Sequence, residues 1–198
     1  MSFHTEIQIP EFSEKMDYSK SMMYMGSCFS ENIGQKMVDL KFNVDLNPFG
    51  ILYNPVSIAN SLKILIDKRF FSEYDLFQDQ GLWNSFYHHS RFSDVDPDVV
   101  LKRINSRIES SSEFLKKADF LVLTFGTAYA YELKSLGQIV SNCHKVPASQ
   151  FMSVRLGVHE IAESYRNLME ELWSINPKLK VIFTVSPIRH WKDGAVNN

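Results

Sequence analysis

The sequence predicts a single three-layer α/β domain built on a mostly parallel sheet. Three observations carry that reading. Short apolar runs alternate with longer segments of helical periodicity, in the order β-α-β-α-α-β-hairpin-α-β. Such alternation implies parallel strands covered by helices. The run ADFLVLTFG (118–126) is largely apolar and closed by glycine, as strands buried on both faces read. At 198 residues, the chain fits one domain.

The elements follow in order. EIQI (6–9) alternates polar and apolar residues and predicts a short edge strand. Residues 11–20 are polar and turn-like. SMMYMG predicts a buried strand ending at Gly26. Phe29, Ile33, Met37 and Leu40 then recur at helical spacing and predict a helix over about 29–41. A second strand is expected over 43–46, closed by Asn47-Pro48-Phe49-Gly50. Pro55 suits the first turn of a helix, whose inner stripe would be Ile58, Leu62, Leu65 and Ile66. Residues 70–95 are aromatic and irregular, and predict an insertion packed over the core with short strands.

Asp96-Pro97-Asp98 opens a long helix with Val100, Ile104, Ile108 and Leu115 on one face. The strand ADFLVLTFG follows. AYAYEL and QIVSNC flank Leu136-Gly137 and predict a hairpin. Val158, Ile161, Tyr165, Leu168 and Leu172 mark an amphipathic helix ended by Pro177. KVIFTVSPIRH predicts one more buried strand.

Bulk properties exclude several classes. With 21 basic and 23 acidic residues the net charge is −2, so nothing draws the chain to nucleic acid or an anionic membrane. No apolar run approaches the roughly 20 residues of a membrane span. MSFHTEIQIPEF lacks a basic-then-apolar signal pattern. Two cysteines, Cys28 and Cys143, cannot make a disulfide framework, although one bridge stays open. A cytoplasmic protein is the expectation.

Each predicted parallel strand ends at chemically suggestive residues: Gly26-Ser27-Cys28, Asn47-Pro48-Phe49-Gly50, Phe125-Gly126-Thr127 and Ser186-Pro187-Ile188-Arg189-His190. In open α/β sheets ligands bind outside the carboxyl ends of the strands. All four sets would share one edge. Ser27 would stand at a helix start, where unpaired N–H groups favour developing negative charge. It is a candidate nucleophile for a carbonyl, its own N–H and that of Gly50 being the candidate oxyanion donors. Losing one such donor typically costs about 10²–10³ in rate. The plain alternative is that Ser27 only caps the helix.

At these residues the chain resembles the GSCFA family, named for a Gly-Ser-Cys-Phe-Ala motif, here GSCFS with Ser30 in place of alanine. The resemblance continues through NPFGILYNP (47–55), LTFGTAYAY (123–131), IVSNCHKVP (139–147) and FTVSPIRHWKDG (183–194). It implies a flavodoxin-like fold of the SGNH (GDSL-like) hydrolases and ester hydrolysis or acyl transfer. Ser27 matches the first SGNH block and Gly50 the second. The third, usually Gly-x-Asn, reads Gly126-Thr127-Ala128, so Asn142, His144 or Thr127 would have to replace the lost donor. The Asp-x-x-His pair of the last block is absent up to Asn198. The resemblance therefore implies a C-terminally truncated domain lacking a final strand, a helix and the catalytic histidine. Apolar surface exposed by that loss would favour a homo-oligomer.

His190 is an alternative base or, with Arg189, a substrate contact for an acyl or anionic group. Cys28 reads as buried packing rather than nucleophile. Cys143-His144 invites a Cys–His reading, but neighbours on a strand face opposite sides, which disfavours direct pairing. His88-His89 lacks ligand spacing for a metal, so neither metal nor cofactor is expected. Trp83, Phe86 and Tyr87 read as core or lid, with carbohydrate stacking the alternative. Lys145 and Tyr129 are candidate pocket residues. The expectation is an SGNH-type serine esterase acting on a small-molecule or O-acyl carbohydrate ester. A non-catalytic binding module and an acyltransferase are the alternatives.

Overall fold

Four parallel strands form the centre of the molecule. The computed structural model describes residues 10–186, so the predicted strand at 6–9 lies outside the described residues. The chain runs β1 (Ser21–Gly26), α1 (Cys28–Asp39), β2 (Asn43–Leu46), α2 (Pro55–Asp67), β3 (Phe77–Asp79), β4 (Leu82–Asn84), α3 (Pro97–Leu115), β5 (Phe120–Phe125), β6 (Tyr129–Leu133), β7 (Gln138–Val140), β8 (Phe151–Arg155), α4 (Val158–Ile175) and β9 (Lys180–Val185). The main sheet has the order β2-β1-β5-β9, with every pair parallel. Counting only these strands, the order is 2-1-3-4, as in doubly wound flavodoxin-like sheets. The two small antiparallel sheets, β3-β4 and β7-β6-β8, occupy the insertions. β8 extends the predicted hairpin to three strands.

The helices begin where local chemistry permits. Asn54 caps α2 by accepting from the Ser57 N–H at 2.8 Å, and Pro55 occupies the first turn. Asp96 caps α3 through the Asp98 N–H. Each satisfies an amide that has no intrahelical acceptor.

Alternation along β1 splits the core. Met23 and Met25 join Leu121 and Leu123 on the face covered by α2, α3 and α4, against Ile58, Leu62, Ile104, Ile108, Leu168 and Leu172. Met22 and Tyr24 join Phe120 and Val122 on the other face, against Ile33 and Met37 of α1. The Tyr165 hydroxyl donates to the Pro55 carbonyl at 2.8 Å and ties α4 to α2. Buried Asp45 of β2 pairs with Arg107 of α3, so a carboxylate on the apolar face keeps its charge partner.

Three packing expectations are corrected. Phe29 and Leu40 are not part of the inner stripe of α1; they are 51% and 59% exposed. The helix turns Ser30 and Gly34 inward instead, because it lies so close to β2 that a methyl at Gly34 would collide with the Leu46 side chain. On α4, Val158 is exposed and the inner stripe starts beyond it. β9 is not fully buried. Among the described residues it is the sheet's edge, with Ile182, Phe183 and Val185 exposed.

Candidate functional site

The sheet order reverses at β1, whose neighbours are β2 on one side and β5 on the other. The crevice at such a reversal is where open α/β sheets bind ligands. Three of the predicted strand ends meet there. Asn47, after β2, accepts from the Gly26 N–H at 2.9 Å through Oδ1 and donates from Nδ2 to Glu31 at 2.6 Å. Arg91 donates to the Asn47 carbonyl and to Glu31. Leu52 N–H donates to the Gly26 carbonyl, and the N–H groups of Gly126 and Thr127 both donate to the Tyr53 carbonyl. Ser186 N–H reaches the Phe125 carbonyl. Arg189 and His190 lie outside the described residues.

Ser27 sits between β1 and α1 as the N-cap, with extended backbone (φ −70°, ψ −179°); its Oγ accepts from the Phe29 N–H at 3.4 Å. Gly26 makes the turn. Its φ is +139°, and a Cβ there would collide with the Thr124 backbone carbonyl, so only glycine fits. Ser27 is at the rim of the sheet but covered, at 3% exposed. A Cβ at Gly126 would lie 3.3 Å from Ser27 Cβ and 3.0 Å from a Tyr53 ring carbon. A side chain at Gly126 would therefore crowd both the serine and the tyrosine ring.

The expected oxyanion donors are corrected. Ser27 N–H donates to the Thr124 carbonyl at 3.3 Å, continuing the β1–β5 ladder by one bond, and Gly50 N–H donates to the Asn47 carbonyl at 2.8 Å, closing the turn after β2. Neither amide is unpaired. Gly50 has a different use: with φ +84°, it leaves room for His89, whose Cβ would overlap any side chain there. Cys28, expected in the interior, is exposed, because the first residue of α1 projects away from the face that Ser30 and Gly34 turn to the sheet.

Ser30, the departure from the alanine of the motif, is fully buried. Its Oγ lies 2.7 Å from Thr124 Oγ1, which in turn lies 2.7 Å from Thr184 Oγ1. This hydroxyl chain links α1, β5 and β9 directly behind the Ser27 turn.

Beside the crevice opens a cleft of about 360 Å³, lined among others by Tyr53, His89, Thr127, Tyr129, Tyr131 and Asn142. Asn142 Oδ1 accepts from the His144 N–H at 2.9 Å, so its amide donors remain for a ligand. Thr127 Oγ1 accepts from the Tyr129 N–H. His144 does not join this cleft. Its Nε2 lies 2.8 Å from the Ser85 carbonyl, which only accepts, so Nε2 carries the proton. Its Nδ1 is buried without a partner.

The adjacent histidines part company. His88 is buried, stacked on Phe49 and edge-on to Phe71 and Phe92. Burial, then the neighbouring His144, push its pKa down to about 3. His89 faces the cleft. Its Nδ1 accepts from the Arg91 N–H at 3.2 Å, placing the proton on Nε2. Burial, then Arg91, hold its pKa below the usual imidazole value. Burial first and Cys28 second raise the pKa of Tyr53.

Tyr53 and His89 are the residues sequence reasoning missed, and Asn47, marked only as a strand end, gained no role. Asn47 and Tyr53 lie within NPFGILYNP, where the candidate site residue is Gly50. His89 was hidden in a His-His pair weighed only as a metal motif. The insertion's aromatics prove to be packing groups: Trp83 and Tyr87 lie against the main core and Phe86 stacks on Phe77. The three tyrosines of the cleft come from elsewhere.

No helix among the described residues is long and apolar enough to cross a membrane. No curated protein and no solved structure matches the chain. The GSCFA family model matches residues 21–198. That span takes in the Ser27 turn, the Asn47–Gly50 turn, Gly126 and the Asn142 loop, and the chain belongs to the GSCFA family.

Proposed function

We propose that the chain is an ester hydrolase of the SGNH type with Ser27 as nucleophile. One observation carries this reading: Ser27 caps a helix at the switch point of the sheet, and Gly126 beside it lacks the Cβ that would crowd both the serine and the Tyr53 ring. The sheet order and the glycine-serine turn after the first strand support the SGNH placement.

On this reading Ser27 Oγ attacks the ester carbonyl while its proton passes to an imidazole outside the described residues. Among the described residues no histidine is hydrogen-bonded to Ser27. The Asn142 amide donates to the oxyanion, in the role of the asparagine that the sequence lacks after Gly126. The C–O bond of the ester breaks, and the alkoxide leaves as the alcohol with that proton. Water then cleaves the acyl-serine to the acid and restores the hydroxyl. An alcohol in place of water makes the same site an acyltransferase. The three tyrosines of the cleft suit a sugar ring, so the ester is that of an O-acyl carbohydrate.

Ser27 is buried and already accepts from Phe29, which favours a second reading, a binding module without catalysis. Labelling of the full-length protein with a fluorophosphonate separates the two. The hydrolase reading expects labelling that Ser27→Ala abolishes. No Ser27-dependent labelling, under conditions that label a known esterase, leaves the binding module.

A further inference from the structure

A second cleft of about 290 Å³ lies between the β3–β4 hairpin and the loop after β7, lined by Asp79, Asn84, Ser90, Ser93, His144 and Lys145 together with Asn142. Asn142 also lines the tyrosine cleft, so the two meet at one side chain. They differ in chemistry. The first carries aromatic rings; the second is lined by polar residues and Leu82, at the small end of ligand pockets, which begin near 300 Å³.

The second cleft is built, not incidental. His144 and Lys145 both hold left-handed backbone, at φ +50° and +65°. Non-glycine residues rarely take this conformation, and it persists where surroundings enforce it. Here the His144 N–H is held by Asn142 Oδ1, its ring by the Ser85 carbonyl, and the Val146 N–H by the Cys143 carbonyl. Asp79 is half-buried, yet among the described residues its carboxylate makes no hydrogen bond or ion pair, and neither does the Lys145 ammonium. Two opposite charges therefore line one small cleft without neutralising each other. An anionic ligand would meet Asp79 and a cationic one Lys145, each unfavourably. A neutral polyol satisfies both, since its hydroxyls donate to the carboxylate and accept from the ammonium.

We infer that the two clefts form one extended site for a neutral oligosaccharide of at least two rings. One ring packs on Tyr53, Tyr129 and Tyr131. The next places its hydroxyls between Asp79 and Lys145, and the free amide of Asn142 donates at the junction. This rests on the carbohydrate-ester reading and gives it a substrate length.

The test is calorimetric titration of the full-length protein with xylotetraose, cellotetraose, mannotetraose and chitotetraose, each against its own monosaccharide. At least one tetrasaccharide is expected to bind about tenfold or more tighter than its monosaccharide. In an Asp79→Ala/Lys145→Ala double variant that still unfolds cooperatively, the advantage should fall to about twofold or less. Equal affinities for every tetrasaccharide and its monosaccharide overturn the inference, as does a double variant that keeps the advantage. Fluorophosphonate labelling is read on the same preparations. Labelling without chain-length preference sinks the extended site and leaves the hydrolase reading standing; preference without labelling does the reverse.

Discussion

The two faces of the central sheet are held by different means. Under α2, α3 and α4, aliphatic and aromatic side chains of these helices, β1 and β5 interlock in one large cluster. Under α1, the sheet is met by Ser30 and Gly34, with Ile33 and Met37 alongside. The first face gains its stability from buried apolar area, about 1.5–3 kcal/mol for each large aliphatic side chain. The second gains closeness. Small residues let a helix backbone approach the strands, and that approach seats Ser27 at the switch point with the Ser30–Thr124–Thr184 hydroxyls behind it. Apolar bulk builds stability, and its absence builds the site.

The largest effect should come from Gly26→Ala, which attacks the close-packed side. Its new methyl meets a backbone carbonyl of the central strand, which cannot swing aside. We expect no cooperative urea unfolding transition where the parent shows one. An intact transition would mean that the turn is looser than described. Ile108→Ala attacks the opposite side, where Ile108 is fully buried. It should cost about 2–5 kcal/mol in denaturant titration through the cavity it leaves, yet keep any Ser27 labelling. Loss of labelling in a folded Ile108→Ala protein would break the division of labour between the faces.

His88 is a buried titratable group on the apolar face. Its folded pKa of about 3 lies below the ordinary 6.5, so between these values the unfolded chain takes up the proton and the folded one does not. Stability contributed by the neutral ring is therefore present above pH 6.5 and falls as pH drops toward 3, at up to about 1.4 kcal/mol per pH unit. Urea midpoints from pH 7 to pH 4 should show this slope, and His88→Phe should flatten it. The slope will not vanish, since burial also lowers the pKa of His144. An unchanged slope in the variant would place the acid sensitivity elsewhere.

The smallest effect is expected from Ser30→Ala, which restores the motif's alanine. Thr124 keeps Thr184 as partner, so the loss is the Ser30 hydroxyl's contacts with Thr124 and the Met25 carbonyl, about 1–2 kcal/mol. A change near zero would show that the close approach of α1 needs only a small residue; several kcal/mol would make the hydroxyl chain itself the fastener.

The same division explains what was legible beforehand. Ile58, Leu62 and Leu65 of α2, and Val100, Ile104, Ile108 and Leu115 of α3, repeat at helical spacing, and each is buried as that spacing predicts. α1 misleads because Phe29 and Leu40 repeat equally well but face solvent. A pattern of large apolar residues cannot reveal a helix that packs through its small ones. The gathering of strand ends was readable, because parallel strands put their carboxyl ends on one edge. The state of the amides there was not, since whether Ser27 and Gly50 donate to Thr124 and Asn47 depends on register and turn geometry.

The sequence by itself determined the order of elements, the parallel sheet and the turn that carries Ser27, because these follow from local periodicity and from glycine where no other residue fits. Only the tertiary structure decided that Ser27 is covered, that His89 and not His88 faces a cleft, and that Asn142 stands between an aromatic and a polar cleft. Those outcomes depend on contacts between residues tens of positions apart, and side-chain direction at such contacts is set by packing rather than by neighbours in the chain.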